Sequence, residues 1–188
     1  MIKKKIQQVA IKHFYEYGYE GAKMAQIAKD LDIKKQSLSY HFNTKRDLFI
    51  EVYSKVIEEE ILYIQNFFKN QSNISPKEKL LSYLKEITLR THVKPNTAFL
   101  QRTSYSAPLE IEAFVATQYL TYFYTLKNEV RKVFEEETFS YSSDDCTLGY
   151  ITLFDGLIVH LLYNTNQSLE YSLDVSFNIF WNGISPKI

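Results

Sequence analysis

The chain has little of what breaks helices or closes covalent loops: its 188 residues include five Gly, four Pro and one Cys. So few breakers, with no sustained alternation of apolar and polar positions, argue against an all-β fold and leave helices joined by short turns. The lone cysteine, Cys146, excludes an intrachain disulfide framework. With no basic neighbour to activate its thiol, it is expected to be a small buried apolar side chain. No stretch reaches the about 18 uncharged apolar residues of a spanning helix, and the opening MIKKKIQQVAIKHF is too interrupted by polar residues for a signal peptide. The expected compartment is the cytoplasm, with no membrane partner.

Catalytic signatures are also missing. His13, His41, His92 and His160 lie far apart in sequence, without an HExxH or a His/Cys pair at metal-ligand spacing. There is no Gly-rich phosphate loop and no G-x-S-x-G. Glu58 to Glu60 and Glu135 to Glu137 read as charge runs on solvated helix faces. The sequence therefore predicts no enzyme, no metal and no cofactor.

What is present is asymmetric. The formal net charge is zero, yet residues 1–50 carry ten Lys and Arg against five acids, and the remainder twelve against seventeen. A basic end on an acidic body points to a polyanion at one end only.

Apolar periodicity predicts about nine helices. The first runs from about Ile2 to Tyr17, with Ile6, Val9, Ala10, His13, Phe14 and Tyr17 as its stripe and Gly18 as its stop. The second covers about Met24 to Leu31, and the third about Lys35 to Phe42, with a corner at Asp32, a residue type that tolerates the left-handed conformation. Later helices are expected at about 47–70, from Pro76 with Ser75 as cap, at about 96–105 and at about 109–136. The segment QSNIS closes the long 47–70 helix. Asp144 or Asp145 is expected to cap a helix over 146–163, and Ser168 one over 168–182.

Lys23 to Arg46, KMAQIAKDLDIKKQSLSYHFNTKR, brings two short helical patterns to a tight corner and so reads as a helix-turn-helix. In the third helix Leu38 and Phe42 share the inward face. At 100° per residue Gln36, Ser37 and Tyr40 point away, with Ser39 and His41 on the flanks. Such a short helix needs the first two to hold it.

These residues resemble the tetracycline-repressor (TetR) family of bacterial transcriptional regulators. The family's F-x-x-x-G-[YF], its Ile-Ala pair, its corner, its T-L-Y-x-[HY]-F and its x-x-K-x-x-L correspond to Phe14 to Tyr19, Ile27 and Ala28, Asp32 and Ile33, Ser37 to Phe42, and Asn43 to Leu48. FDGL, Phe154 to Leu157, adds a family-like segment near the end. Around Ser104 to Pro108 the chain faintly resembles the repressors of intercellular-adhesion operons in Gram-positive bacteria, over too short a stretch to choose a target. The resemblance implies an all-α fold with a helix-turn-helix domain over 1–46 and a helical effector-binding and dimerisation domain over 47–188. It also implies a dimer whose two DNA-reading heads spread apart when a small effector binds.

On that reading Lys35, Gln36, Ser37 and Tyr40 are the candidates for the major groove, since Lys can reach guanine acceptors and Gln can pair with adenine. Lys34, His41, Lys45 and Tyr40 are candidates for phosphate. Lys45 leads because it matches the family's Lys at the start of the fourth helix. Ser39 stands where the family places Tyr and completes the set. Two heads on a two-fold axis imply a palindromic operator.

TLGYITLFDGLIVHLLY and SLEYSLDVSFNIFW are apolar or aromatic around much of their circumference, so each needs cover on more than one side. This predicts a homodimer through about Cys146–Tyr163 and Ser168–Asn182, with the monomer's own core as the alternative. Phe67, Tyr83, Phe99, Tyr119 and Phe123, with His92 and Gln101 as polar handles, are candidates to line a pocket for a lipophilic or aromatic effector. Ordinary core packing accounts equally for any one of these aromatics. Two further readings stay open: a helical lipophilic-ligand carrier without specific DNA binding, and a DNA-binding regulator with a protein effector or none.

Overall fold

The computed structural model describes residues 2–71, 73–163 and 168–186, and among these it is helical without strands. The elements are α1 (Ile2–Gly21), α2 (Met24–Asp30), α3 (Lys35–His41), α4 (Lys45–Lys69), α5 (Pro76–Val93), α6 (Pro95–Tyr105), α7 (Leu109–Phe134), α8 (Ser143–Tyr163) and α9 (Leu169–Ile184). Ser72 of the QSNIS segment lies outside the described residues.

Several ends follow from local chemistry. Thr44 and Asp47 form a reciprocal capping box at the start of α4, Thr44 Oγ1 accepting from Asp47 N and Asp47 Oδ2 accepting from Thr44 N. Ser75 and Glu78 do the same for α5, which draws the Glu78 carboxyl below its ordinary range. Ser168 Oγ accepts from Tyr171 N and caps α9. The cap of α8 differs from expectation: Ser142 Oγ accepts from Asp145 N, so the aspartate is the third-position partner of a serine cap. Gly18 does leave the helical region, at φ 69 and ψ 176, but helical backbone resumes to Gly21. Tyr17, expected inward, is more than half exposed, while Tyr19, beyond the kink, is buried.

The chain forms two compact units. One comprises residues up to Glu60 together with Thr91–Thr121. Its core joins Ile6, Ala10 and Phe14 of α1, Ile27 and Ala28 of α2, Leu38 of α3, Leu48, Phe49 and Val52 of α4, and Phe99 and Leu100 of α6. Phe14 and Tyr19 both meet the Phe49 ring edge-on at 5.2 Å between centroids, a favourable quadrupole geometry. Glu60, expected on a solvated face, is buried and accepts from Thr97 Oγ1 at 2.8 Å. The carboxylate run therefore has one member facing inward.

The other unit comprises Ile61–Arg90 and Tyr122–Ile188. Leu80, Tyr83 and Leu84 of α5 pack with Tyr122 and Leu126 of α7, Tyr150 and Phe154 of α8 and Leu173 and Phe177 of α9 in its core. Tyr150 donates to the Leu80 carbonyl at 2.8 Å. Lys79 is buried and bonds both oxygens of Glu136, at 2.7 and 2.9 Å, which offsets the cost of taking its charge out of water. Gly149 lets α8 and α9 approach: a Cβ there would stand 2.8 Å from the Phe180 ring.

α8 and α9 carry apolar side chains outward as well as inward. Leu148 is 62% exposed and Ile179 70%, with Tyr163 and Tyr171 also exposed. By length and composition alone α8 is apolar enough to cross a membrane, although Asp155 keeps it from being an uncharged run.

Candidate nucleic-acid interface

α1, α2 and α3 assemble around the inward side chains Ile6, Ala10, Phe14, Ile27, Ala28 and Leu38. The turn between α2 and α3 is closed by Ile33 N donating to the Ala28 carbonyl at 3.0 Å, and Asp32 takes φ 52 within it. That is the left-handed residue the sequence places at the corner, and it redirects the chain into α3.

α3 divides by side. Leu38 is fully buried, and Phe42, just past the helix, nearly so. Lys34, Lys35, Gln36 and Ser37 are exposed, and Tyr40 is the most open aromatic of the set at 86%. Ser39 and His41 are half-buried on the flanks, with the His41 ring edge-on to Tyr40 at 5.5 Å. The candidates for DNA contact on α3 thus share one solvent-facing side and its borders. Four exposed polar or aromatic side chains on one short helix, with Lys34 at its cap, are outside the core, which is how a helix presents donors and acceptors to base edges.

Lys45 opens α4 half-buried. Its ammonium lies 4.4 Å over the Tyr19 ring and donates to the Glu20 carbonyl at 3.2 Å. These contacts hold the charge at the surface beside the turn after α3. Tyr19 is neutral well past the ordinary phenol range, first through burial and then through its bond to the Glu110 carboxylate. Lys3 pairs with Glu51 at 2.8 Å and lies 5.4 Å over the Phe42 ring.

Two cations absent from the sequence candidates belong to the same head. Lys29 lines a shallow concavity of about 490 Å³ with Ala25, Asp32, Lys34 and Lys35. Lys23 is exposed at the start of α2, where its side chain makes no cap hydrogen bond. Their helical phase in so short a segment gave no periodic signal to single them out.

The effector candidates are divided between the two units. His92, Phe99, Gln101 and Tyr119 belong to the first, where His92 is exposed, Phe99 and Gln101 are buried, and Tyr119 is half-buried. Phe67, Tyr83 and Phe123 belong to the second, where Tyr83 is fully buried and the other two are half-buried. A cleft of about 370 Å³ on α8 and α9 is lined by Thr152, Leu153, Gly156, Leu157, His160, Tyr171, Ser172, Val175 and Ser176. It includes none of the seven. Among the described residues no group of three or more His, Cys, Asp or Glu is placed to hold a metal.

An all-helical chain whose first three helices form a helix-turn-helix with a polar, outward-facing third helix is a DNA-binding regulator in class. Residues 6–52 match the model of the bacterial regulatory proteins of the tetR family. The chain is 28% identical over 147 residues to the biofilm operon icaADBC negative transcriptional regulator IcaR of Staphylococcus aureus (strain Newman), covering 77% of this chain and 75% of that one. Its fold matches a TetR transcriptional regulator from Legionella pneumophila at TM-score 0.71, with 23% identity over 98% of each chain. It also matches the transcriptional regulator FadR of Bacillus subtilis in complex with stearoyl-CoA, at TM-score 0.70 and 15% identity over 96% of this chain and 98% of that one. Residues 6–52 are thus a DNA-binding domain of the tetR type, and the protein is a transcriptional regulator.

Proposed function

We propose that the protein is a homodimeric repressor that binds a palindromic operator through α3 and is released from it by a lipophilic or aromatic effector. The observation that carries this reading is the division of α3, with Leu38 buried and Lys35, Gln36, Ser37 and Tyr40 open to solvent. Residues 1–46 act as the reading head, with Lys34, His41 and Lys45 on phosphates and Ser39 at the edge of the groove. Residues 47–188 form the body that dimerises and takes the effector. The protein works in the cytoplasm as a regulator without catalytic chemistry.

Repression is supported by IcaR, a negative regulator. A lipophilic effector is supported by the stearoyl-CoA held in the FadR structure. Dimerisation is supported by the outward apolar side chains of α8 and α9, where Leu148, Tyr163, Tyr171 and Ile179 are all exposed. Two heads on one axis then meet half-sites about 34–36 Å apart, or a multiple of one DNA turn.

One observation favours a variant of this reading. Phe99 packs against Phe14, Phe49 and Tyr53, with centroids between 5.8 and 6.1 Å, and Tyr83 packs against Phe67, Phe68 and Phe154. Aromatics so enclosed serve the core, and a regulator answering to a protein partner, or to none, requires no ligand space among them.

The deciding experiment is selection of bound sequences from a random DNA pool, at low salt and without ligand. Enrichment of a palindrome is the expected result. Failure to enrich any sequence sinks the reading and leaves the ligand carrier in its place.

A further inference from the structure

We propose that His13 is a positioning residue for DNA reading, whose imidazole clasps Asp30 and so fixes the end of α2 from which α3 is aimed. The inference rests on the DNA-reading function proposed above. His13 lies on the buried stripe of α1, with 6% of its surface exposed. Its Nε2 stands 2.7 Å from Asp30 Oδ2. Its Nδ1 is buried and has no hydrogen-bond partner among the described residues.

An imidazole is a poor choice for that stripe on packing grounds. One ring nitrogen loses water and gains nothing, a cost an aliphatic side chain of similar volume would not carry. The bond at Nε2 is what sets His13 apart from such a residue. It joins two helices, and its partner is not part of the core: the Asp30 side chain is 55% exposed.

Asp30 is the last residue of α2. The aligned peptide dipoles concentrate negative charge there, so a carboxylate at that end is repelled unless a donor faces it. Nε2–H is that donor. Two residues later Asp32 turns the chain at φ 52, and α3 begins at Lys35. A bond at Asp30 therefore fixes the chain immediately before the corner that directs Gln36, Ser37 and Tyr40.

The role is one of aim. His13 does not touch DNA, so its loss is expected to weaken recognition of the right sequence while leaving the general attraction of a cationic head for phosphate intact. In thermodynamic terms, a reading helix released to sample several tilts spends only part of its time in the productive one, and specific affinity falls by that fraction.

The test uses the full chain and the operator recovered by selection from random DNA, with a scrambled duplex of equal length as control. His13→Leu fills the stripe without the donor, His13→Gln keeps a donor at similar reach, and Asp30→Ala removes the acceptor from a half-exposed position. His13→Leu is expected to unfold at or above the wild-type temperature, yet to bind the operator about tenfold more weakly, the size of one lost hydrogen bond to a charged group. Binding to the scrambled duplex, and its salt dependence, should not change. Asp30→Ala should lose the same factor, the double variant no more than either single one, and His13→Gln should recover most of it.

Operator binding by His13→Leu and Asp30→Ala within about twofold of wild type, less than ~0.5 kcal/mol, overturns the inference. So does a parallel loss on operator and scrambled DNA, which a merely structural or electrostatic role would give. If His13→Leu fails to fold, Asp30→Ala decides alone. A wild-type chain that prefers no sequence sinks the DNA-reading function and this inference with it, whereas a wild type that reads and variants that read equally well sink only the inference.

Discussion

The Tyr19 hydroxyl donates to a Glu110 carboxylate oxygen at 2.6 Å, joining the segment after the Gly18 kink to the first turn of α7. Glu110 sits in that first turn, at the positive end of the helix dipole, where a carboxylate is favoured. The Lys45 ammonium over the same ring adds a cation to its face. Tyr19→Phe keeps the ring contacts with Phe14 and Phe49 and removes only the hydroxyl. Because Glu110 is exposed and regains water, the expected loss is about 1 kcal/mol, below the range for a buried bond to a charged group. Urea denaturation measures it, and no loss at all would mean that water replaces the bond without cost.

That bond was not legible in the sequence, and the reason is general to the chain. The 3.6-residue period, Gly18 as a breaker, Asp32 at the corner and Ser168 as a cap are local signals, and each acts where it stands. So is the division of α3, since facing follows from angle along one helix. Tyr19 with Glu110, His13 with Asp30 and Glu60 with Thr97 depend on which helices become neighbours, which periodicity does not encode. His13 shows the limit well: its phase put it inward, but nothing in the phase says what its nitrogen would meet. Tyr17 shows the opposite failure, since the kink one residue later ends the stripe it belonged to.

Lys45 and Gln36 are expected to fail differently. On the proposed reading Lys45→Ala removes one phosphate contact, so binding to every duplex should weaken alike and the slope of log affinity against log salt should shrink by roughly 1. On the same reading Gln36→Ala removes a base-edge contact, so the operator should weaken by about 1–3 kcal/mol while random DNA is unaffected. Titrations of both variants on both duplexes at several salt concentrations separate the two. An unchanged slope for Lys45→Ala would leave its ammonium on Tyr19 and Glu20 in the complex.

The outward faces of α8 and α9 set a third expectation. Ile179, 70% exposed, has little to lose as a monomer residue, so Ile179→Asp should leave the thermal midpoint of the isolated fold nearly unchanged. In a symmetric dimer it would bury two like charges, and sedimentation should report a shift to monomer. Operator affinity should drop with it, because each head then binds its half-site alone. A wild-type chain that sediments as a monomer at micromolar concentration would exclude the dimer.

The buried phenols make stability depend on alkaline pH. Burial pushes Tyr53 up to about 12, with its bond to Ser104 partly opposing, and pushes the fully buried Tyr150 well above its ordinary value. Both are raised relative to the unfolded chain, so their contribution is complete below about pH 10, where neither state has ionised. Above that the unfolded chain sheds phenolic protons that the folded chain keeps, and stability falls with rising pH. For Tyr53 the fall runs from about pH 10 to its folded value at about 1.4 kcal/mol per pH unit. Lysines titrate in the same range, so the measurement is a comparison: urea denaturation of wild type and Tyr53→Phe from pH 8 to 12, with the variant expected to lose stability less steeply above about pH 10. Parallel curves for the two proteins would mean that the Tyr53 hydroxyl ionises as readily in the folded chain as in the unfolded one, and that its bond to Ser104 holds the anion as well as it holds the phenol.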